Sequence, residues 1–236
     1  MEMEKFPLKF SAPAFFGAPP QPGSPVNVSN GSATLLRLDG KPYALTCSHV
    51  LEGYRQCLSQ DGAVIFQFGS CKMDPLIQLK AEDKELDYAL IELSDDQAKE
   101  LISKGGAFDG KFFYEPSFWP PSAVEDGDFL AFGGFPGELR KVEAFDELSF
   151  GSYSSGATLV TSIRDDYLVC QFDRTHWVKH GHQTEPSTIR GLSGGPVFAI
   201  RHSSSGIMTH EFVGHVYEFS ESWELLYVRR AQVINF

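Results

Sequence analysis

Ser193 sits in the stretch Gly191-Leu192-Ser193-Gly194-Gly195-Pro196, between glycines and just before an apolar run at 197–200. Glycines let a backbone turn tightly and bring its N–H groups beside the serine hydroxyl. One short loop can then supply a nucleophile and the donors for a developing oxyanion. A neutral hydroxyl is a poor nucleophile near neutral pH and needs a base within hydrogen-bond reach. His49, closing the apolar segment 44–50, is the candidate base, because imidazole titrates near physiological pH. An imidazole base needs its tautomer held and its cation stabilised. Asp87, at the mouth of the apolar run 88–93, is the candidate for both. Asp83 and Glu85 lie close by, but the Ala-Leu-Ile run that follows Asp87 selects it. Taken singly, these residues are a turn serine, a satisfied strand-end histidine and a strand-start cap. Their weight comes from occurring together.

In the order His, Asp, Ser, the three segments resemble the motifs of the trypsin/chymotrypsin superfamily of serine proteases. Leu45-Thr46-Cys47-Ser48-His49 is similar to that family's Leu-Thr-Ala-Ala-His, and Asp87-Tyr88-Ala89-Leu90 to its Asp-Ile-Ala-Leu. The serine loop is similar to Gly-(Asp/Asn)-Ser-Gly-Gly-Pro. The likeness spans most of the chain. Gly133-Gly134-Phe135-Pro136-Gly137 resembles the Gly-Tyr-Pro turn of bacterial relatives, which points to a bacterial stand-alone trypsin-like peptidase.

The resemblance implies an all-β fold of two six-stranded antiparallel Greek-key barrels of the chymotrypsin type, with short helices. The expected division is an N-terminal arm at 1–28, a first barrel at 29–115 carrying His49 and Asp87, and a second at 116–236 carrying Ser193. All three parts are expected to form one compact catalytic unit. It implies His49, Asp87 and Ser193 as a triad, with the backbone N–H groups of Gly191 and Ser193 as the oxyanion hole. The reaction implied is hydrolysis of peptide bonds in a protein or peptide substrate through an acyl-enzyme, with no cofactor and no metal.

The chain departs from the family at two positions. Val50 stands where secreted animal members carry a Cys, so their disulfide framework does not carry over. Leu192 stands where digestive members carry an Asp that pairs with a freed N-terminus, so activation by that switch is not expected here. For specificity, the family's count places Ser187 at the pocket base. Ser187 is not acidic, which does not support a trypsin-like preference for Lys or Arg. His215, Tyr217, Glu218 and Phe219 fall on the pocket-edge strand after Gly214. His215 matches in type the His of glutamyl-specific relatives but lies one place early. On a strand of period 2 that points it out of the pocket. Glu218 suits a basic side chain, and Phe219 would narrow the opening.

Two other functions stay open. One is a partner-gated effector protease, inactive in isolation and controlled by a regulatory protein. The other is a catalytically dead protease-fold binding module, which the retained His, Asp, Ser and glycines disfavour. His176, His180 and His182 have no diagnostic metal spacing and read as a polar loop.

The remaining chain must position these residues. With 236 residues, 42% of them hydrophobic, it can bury a sizeable core. Its 22 glycines and 14 prolines suit short strands joined by turns. A net charge of −11 argues against nucleic-acid and anionic-membrane partners. No basic segment followed by an apolar one opens the chain, and no window approaches about 18 uninterrupted apolar residues. The expected location is cytoplasmic, and the four cysteines are expected as reduced thiols. Strand-like runs fall at 33–38, 43–46, 64–68, 76–80 and 88–93, with a hairpin turn at Asp39-Gly40. Ser94 and Gln97 have capping-box spacing before a helix at 98–104. A Pro-rich aromatic crossover at 108–124 leads to strands at 129–132, 140–145, 158–162, 167–172, 197–200, 208–217 and 225–228. A short terminal helix is expected at 229–236.

Overall fold

The computed structural model describes residues 5–21, 27–103, 112–144, 146–172, 177–178, 186–202, 206 and 208–236. The first half carries helix α1 (Phe6–Lys9), strands β1 (Ser11–Gly17), β2 (Val28–Leu38) and β3 (Lys41–Thr46), and helix α2 (Ser48–Asp61). Strands β4 (Ile65–Phe68), β5 (Cys71–Met73), β6 (Leu79–Asp83) and β7 (Tyr88–Glu92) and helix α3 (Asp95–Ser103) follow. The second half carries β8 (Phe129–Gly134), β9 (Arg140–Ala144), β10 (Glu147–Phe150), β11 (Tyr153–Ile163) and β12 (Tyr167–Gln171). It continues through β13 (Trp177–Val178), β14 (Pro196–His202), β15 (Met208–Ser220) and β16 (Leu225–Arg230).

Among the described residues, the first half forms an antiparallel sheet in the order β5-β4-β1-β2-β3-β7-β6. The second runs β12-β16-β15-β14-β8-β11-β13, and pairing of β11 with β12 closes six of these strands into a barrel. The all-β two-barrel plan is thus present as one closed barrel and one curled sheet. Asp39 and Gly40 both have positive φ, the conformation that a two-residue hairpin between β2 and β3 requires. Ser94 and Gln97 exchange side-chain to backbone hydrogen bonds of 2.8 and 3.2 Å at the start of α3, a closed capping box. No helix of the described residues is long and apolar enough to cross a membrane.

Three expectations change. The segment at 1–28 is not simply an arm: β1 pairs with both β2 and β4 and is buried along its whole length. A strand buried on both faces shows no alternation of apolar and polar residues, so its period is invisible in the sequence. The apolar segment around His49 is not one strand: β3 ends at Thr46, and the 14-residue α2 starts at Ser48. Val50, Leu51 and Tyr54 form the buried face of α2, and Gly62 ends it in the left-handed conformation, its N–H on the Leu58 carbonyl. The expected terminal helix is one tight turn at Ala231–Val233 after β16.

Aromatic packing joins the halves. Phe198 on β14 meets the rings of Phe6, Phe10, Tyr114 and Phe212 at centroid distances of 5.0–5.8 Å. Tyr114, in the crossover, hydrogen-bonds through its backbone to Leu35 and Arg37 of β2, and through its hydroxyl to the His210 carbonyl of β15.

Candidate active site

His49 lies in the first turn of α2, where helical N–H groups have no partner within the helix. Asp87 fills that gap. Its Oδ1 accepts the His49 backbone N–H at 2.9 Å, and its Oδ2 lies 2.7 Å from His49 Nδ1. An ionised carboxylate can only accept, so Nδ1 carries a proton, and in a neutral imidazole the lone pair then lies on Nε2. The His49 side chain is 52% exposed and that of Asp87 20%, so the imidazole faces solvent while its partner is largely covered. Burial pushes the Asp87 carboxyl up, but the hydrogen bonds and charge of His49 pull it down further. The result lies below the ordinary carboxylate value.

The Ser193 loop is held by the opposite sheet. Ser193 O accepts the Ser32 N–H at 2.8 Å, and the Ser32 hydroxyl donates to Gly191 O at 2.8 Å while accepting the Phe135 N–H at 2.9 Å. The Thr34 hydroxyl donates to Gly194 O at 2.8 Å. Gly194 N–H in turn reaches Val216 O on β15 at 2.7 Å. The glycines are obligatory: at Gly194, with φ +91°, an added Cβ would lie 2.1 Å from Ser32 O. At Gly191, with φ +101°, it would lie 2.7 Å from Gly137 N. The hydrogen bonds of the described residues leave the N–H groups of Gly191 and Ser193 without partners. Leu192 is buried in the core of the second barrel, which anchors the loop by apolar packing.

Gly31 separates this loop from α2. A Cβ there would lie 2.8 Å from Val50 Cγ2 and 3.2 Å from Ser193 O. The structure therefore brings Ser193 beside the start of the helix that carries His49.

A cleft of about 220 Å³ opens beside Ser193. Ile189, Leu192, Val216 and Phe219 give it apolar walls, and Arg190, Glu218 and Glu221 line it with charge. Glu221 is engaged by the Thr188 hydroxyl at 2.7 Å and by Arg190 Nε at 3.6 Å. Of the expected pocket residues, Glu218 and Phe219 line the cleft and three do not. Ser187 donates to the Glu138 carboxylate at 2.9 Å, away from the cleft. Tyr217 lies under the Arg229 guanidinium, 4.3 Å from the ring centre. His215 is fully buried, with Nε2 3.4 Å from the Asp87 main-chain carbonyl, as strand alternation requires. His176, His180 and His182 lie outside the described residues.

The sequence reading missed Ser32, Thr34 and Cys47. Ser32 and Thr34 look like ordinary strand residues, and only their burial beside the glycine loop gives them a role. Cys47 is buried under the His49–Asp87 pair and donates its thiol hydrogen to Val216 O at 3.4 Å. Burial, then the Asp87 charge, push that thiol well above its ordinary value, so it stays protonated. Cys47, His49 and Asp87 place one donor atom each within 4.8 Å of one another. Asp87 is already committed to His49 and the thiol to a carbonyl, so this cluster is a closed hydrogen-bonded set.

No protein-family model matches the chain, and no curated protein sequence does. Solved structures of similar outline exist. One comes from work on the coupled folding and binding of the intrinsically disordered Sesbania mosaic virus VPg protein: 17% identity, 96% of each chain, TM-score 0.42. A Glu endopeptidase in complex with MPD has 12% identity over 95% of this chain and 86% of that one, TM-score 0.46. HBP has 12% identity over 95% and 87%, TM-score 0.48. The fold assignment stands on the strand pairing described above.

Proposed function

We propose that this chain is a serine endopeptidase of the trypsin-like type, working through an acyl-enzyme. The observation that carries the reading is the two-point grip of Asp87 on His49 beside a glycine-framed Ser193. His49 Nε2 takes the Ser193 hydroxyl proton as the oxygen attacks the scissile carbonyl carbon. The N–H groups of Gly191 and Ser193 receive the negative charge that develops on the carbonyl oxygen. Imidazolium, stabilised by Asp87, returns the proton to the leaving amine. Water then repeats the cycle: His49 deprotonates it, it attacks the ester, and Ser193 leaves with its proton restored. The substrate is a protein or peptide chain. Its side chain entering the cleft would meet apolar walls, the Glu218 carboxylate and the Arg190–Glu221 pair, and Glu218 suits an aliphatic stem with a cationic end.

Reaction of the purified protein with a fluorophosphonate probe tests this reading. Labelling that disappears in Ser193→Ala supports it. Absence of labelling in the wild type, with a folded protein, overturns it as a statement about the isolated chain. Labelling that appears only with an added partner identifies a gated protease.

A further inference from the structure

His215 is the buried ionisable side chain that this mechanism does not use. It lies on β15 with none of its surface exposed. Its cross-strand neighbours are Pro196 and Arg229, and the ionisable groups facing it are Asp87, Arg229 and His49. One ring nitrogen, Nε2, lies 3.4 Å from the Asp87 carbonyl oxygen, and the other, Nδ1, has no partner among the described residues. A carbonyl can only accept, so Nε2 carries the proton and Nδ1 is bare.

The receiving residue is unusual in its own backbone. Asp87 has φ +52°, the left-handed region that a residue with a Cβ seldom occupies. Such a conformation persists only where its surroundings hold it. Two bonds fix the Asp87 side chain to His49, but neither fixes its main chain. Among the described residues, the hydrogen bond to the Asp87 carbonyl comes from His215. That contact crosses between the two halves, because Asp87 precedes β7 and His215 belongs to β15.

We propose that His215 is a positioning residue: its Nε2–H holds the Asp87 carbonyl and thereby keeps the carboxylate aimed at His49. The inference rests on the reading of His49 and Asp87 as base and orienting acid. Neutrality suits the role. Burial pulls the imidazole down to about 4, so near neutral pH it adds no second cation to compete with His49 for Asp87.

The first test uses the wild-type protein with ¹⁵N-labelled histidines. The expected spectrum has His215 neutral at pH 7 with its proton on Nε2, and a downfield His49 Nδ1–H signal. A proton on His215 Nδ1 overturns the proposal without any variant. The second test compares His215→Leu with His215→Gln, whose amide N–H reaches the place of Nε2. In His215→Leu, kcat on a short peptide falls about 10- to 100-fold with little change in KM, and the His49 signal shifts or broadens. His215→Gln recovers most of both. Wild-type kcat and an unmoved His49 signal in His215→Leu overturn the proposal, as does a Gln variant as impaired as Leu. If the wild type resists the fluorophosphonate while the His49 signal still responds to His215→Leu, the positioning role stands and the protease reading falls.

Discussion

Ser32 donates its hydroxyl hydrogen to the Gly191 carbonyl across 2.8 Å, and so ties a strand of the first sheet to the loop that carries Ser193. The same oxygen accepts the Phe135 N–H at the mouth of the second barrel. Removing it takes a hydrogen bond from each of two main-chain groups in a buried site. Ser32→Ala is expected to cost about 1–3 kcal/mol of stability. It should also lower kcat by tenfold or more, because the Gly191 turn loses its tether. Urea denaturation and peptide hydrolysis measure the two effects separately.

Within the triad reading, the members act as a unit. Ser193→Ala or His49→Ala is expected to lose about a million-fold in turnover. Asp87→Asn keeps the shape but favours the wrong His49 tautomer, and about a ten-thousand-fold loss is expected. Active-site titration and peptide hydrolysis check these values. Near-wild-type turnover in His49→Ala would sink the mechanism.

Acid should weaken the fold through His215. Its native pKa of about 4 lies below the ordinary 6.5, so between these values the unfolded chain binds more protons than the native one. The stability from keeping this ring neutral is fully present above about pH 6.5 and is lost as pH falls toward 4. At about 1.4 kcal/mol per unit, the loss comes to about 3 kcal/mol. Unfolding free energies from urea denaturation at pH 7 and pH 4 should differ by about this amount more in the wild type than in His215→Gln.

Leu192 packs into the second barrel's core where a charged residue is expected by family resemblance. Leu192→Ala should cost about 2–5 kcal/mol by opening a cavity under the serine loop. Fluorophosphonate labelling should slow along with it. A stable variant that labels at the wild-type rate would mean the loop holds its shape without that anchor.

Charge in the cleft gives a test of substrate choice. Glu221 is engaged by Thr188 and Arg190, which leaves Glu218 as the more available carboxylate. Glu218→Lys should reduce kcat/KM for peptides with a cationic side chain before the cleaved bond by about tenfold or more. Peptides with an apolar residue there should change little, and a cleavage profile over a peptide library measures both.

The residues of the candidate site were the most legible part of the chain. His49, Asp87 and Ser193 sit at abrupt changes from apolar runs to turns, where a lone polar residue stands out. Strand alternation also placed His215 away from the cleft, although its hydrogen bond to Asp87 joins residues too far apart in sequence to be foreseen. β1 stayed hidden because a doubly buried strand shows no alternation. α2 was readable in principle from Val50, Leu51, Tyr54 and Leu58 with Gly62 after them, but the apolar run into His49 masked its start. Ser187 was assigned by counting back from Ser193. A count through a loop carries no information about which way the loop turns, and the Glu138 carboxylate draws that serine elsewhere.

The tether from β2 to the Ser193 loop has a consequence for the chain before it is finished. A first half folded alone has His49 and Asp87 but no nucleophile. A second half folded alone has Ser193 on a loop whose glycine carbonyls have lost Ser32 and Thr34. On the proposed reading neither piece holds the whole constellation, so a nascent or half-unfolded copy would not cut its neighbours, and peptidase capacity would arrive only with the last docking step.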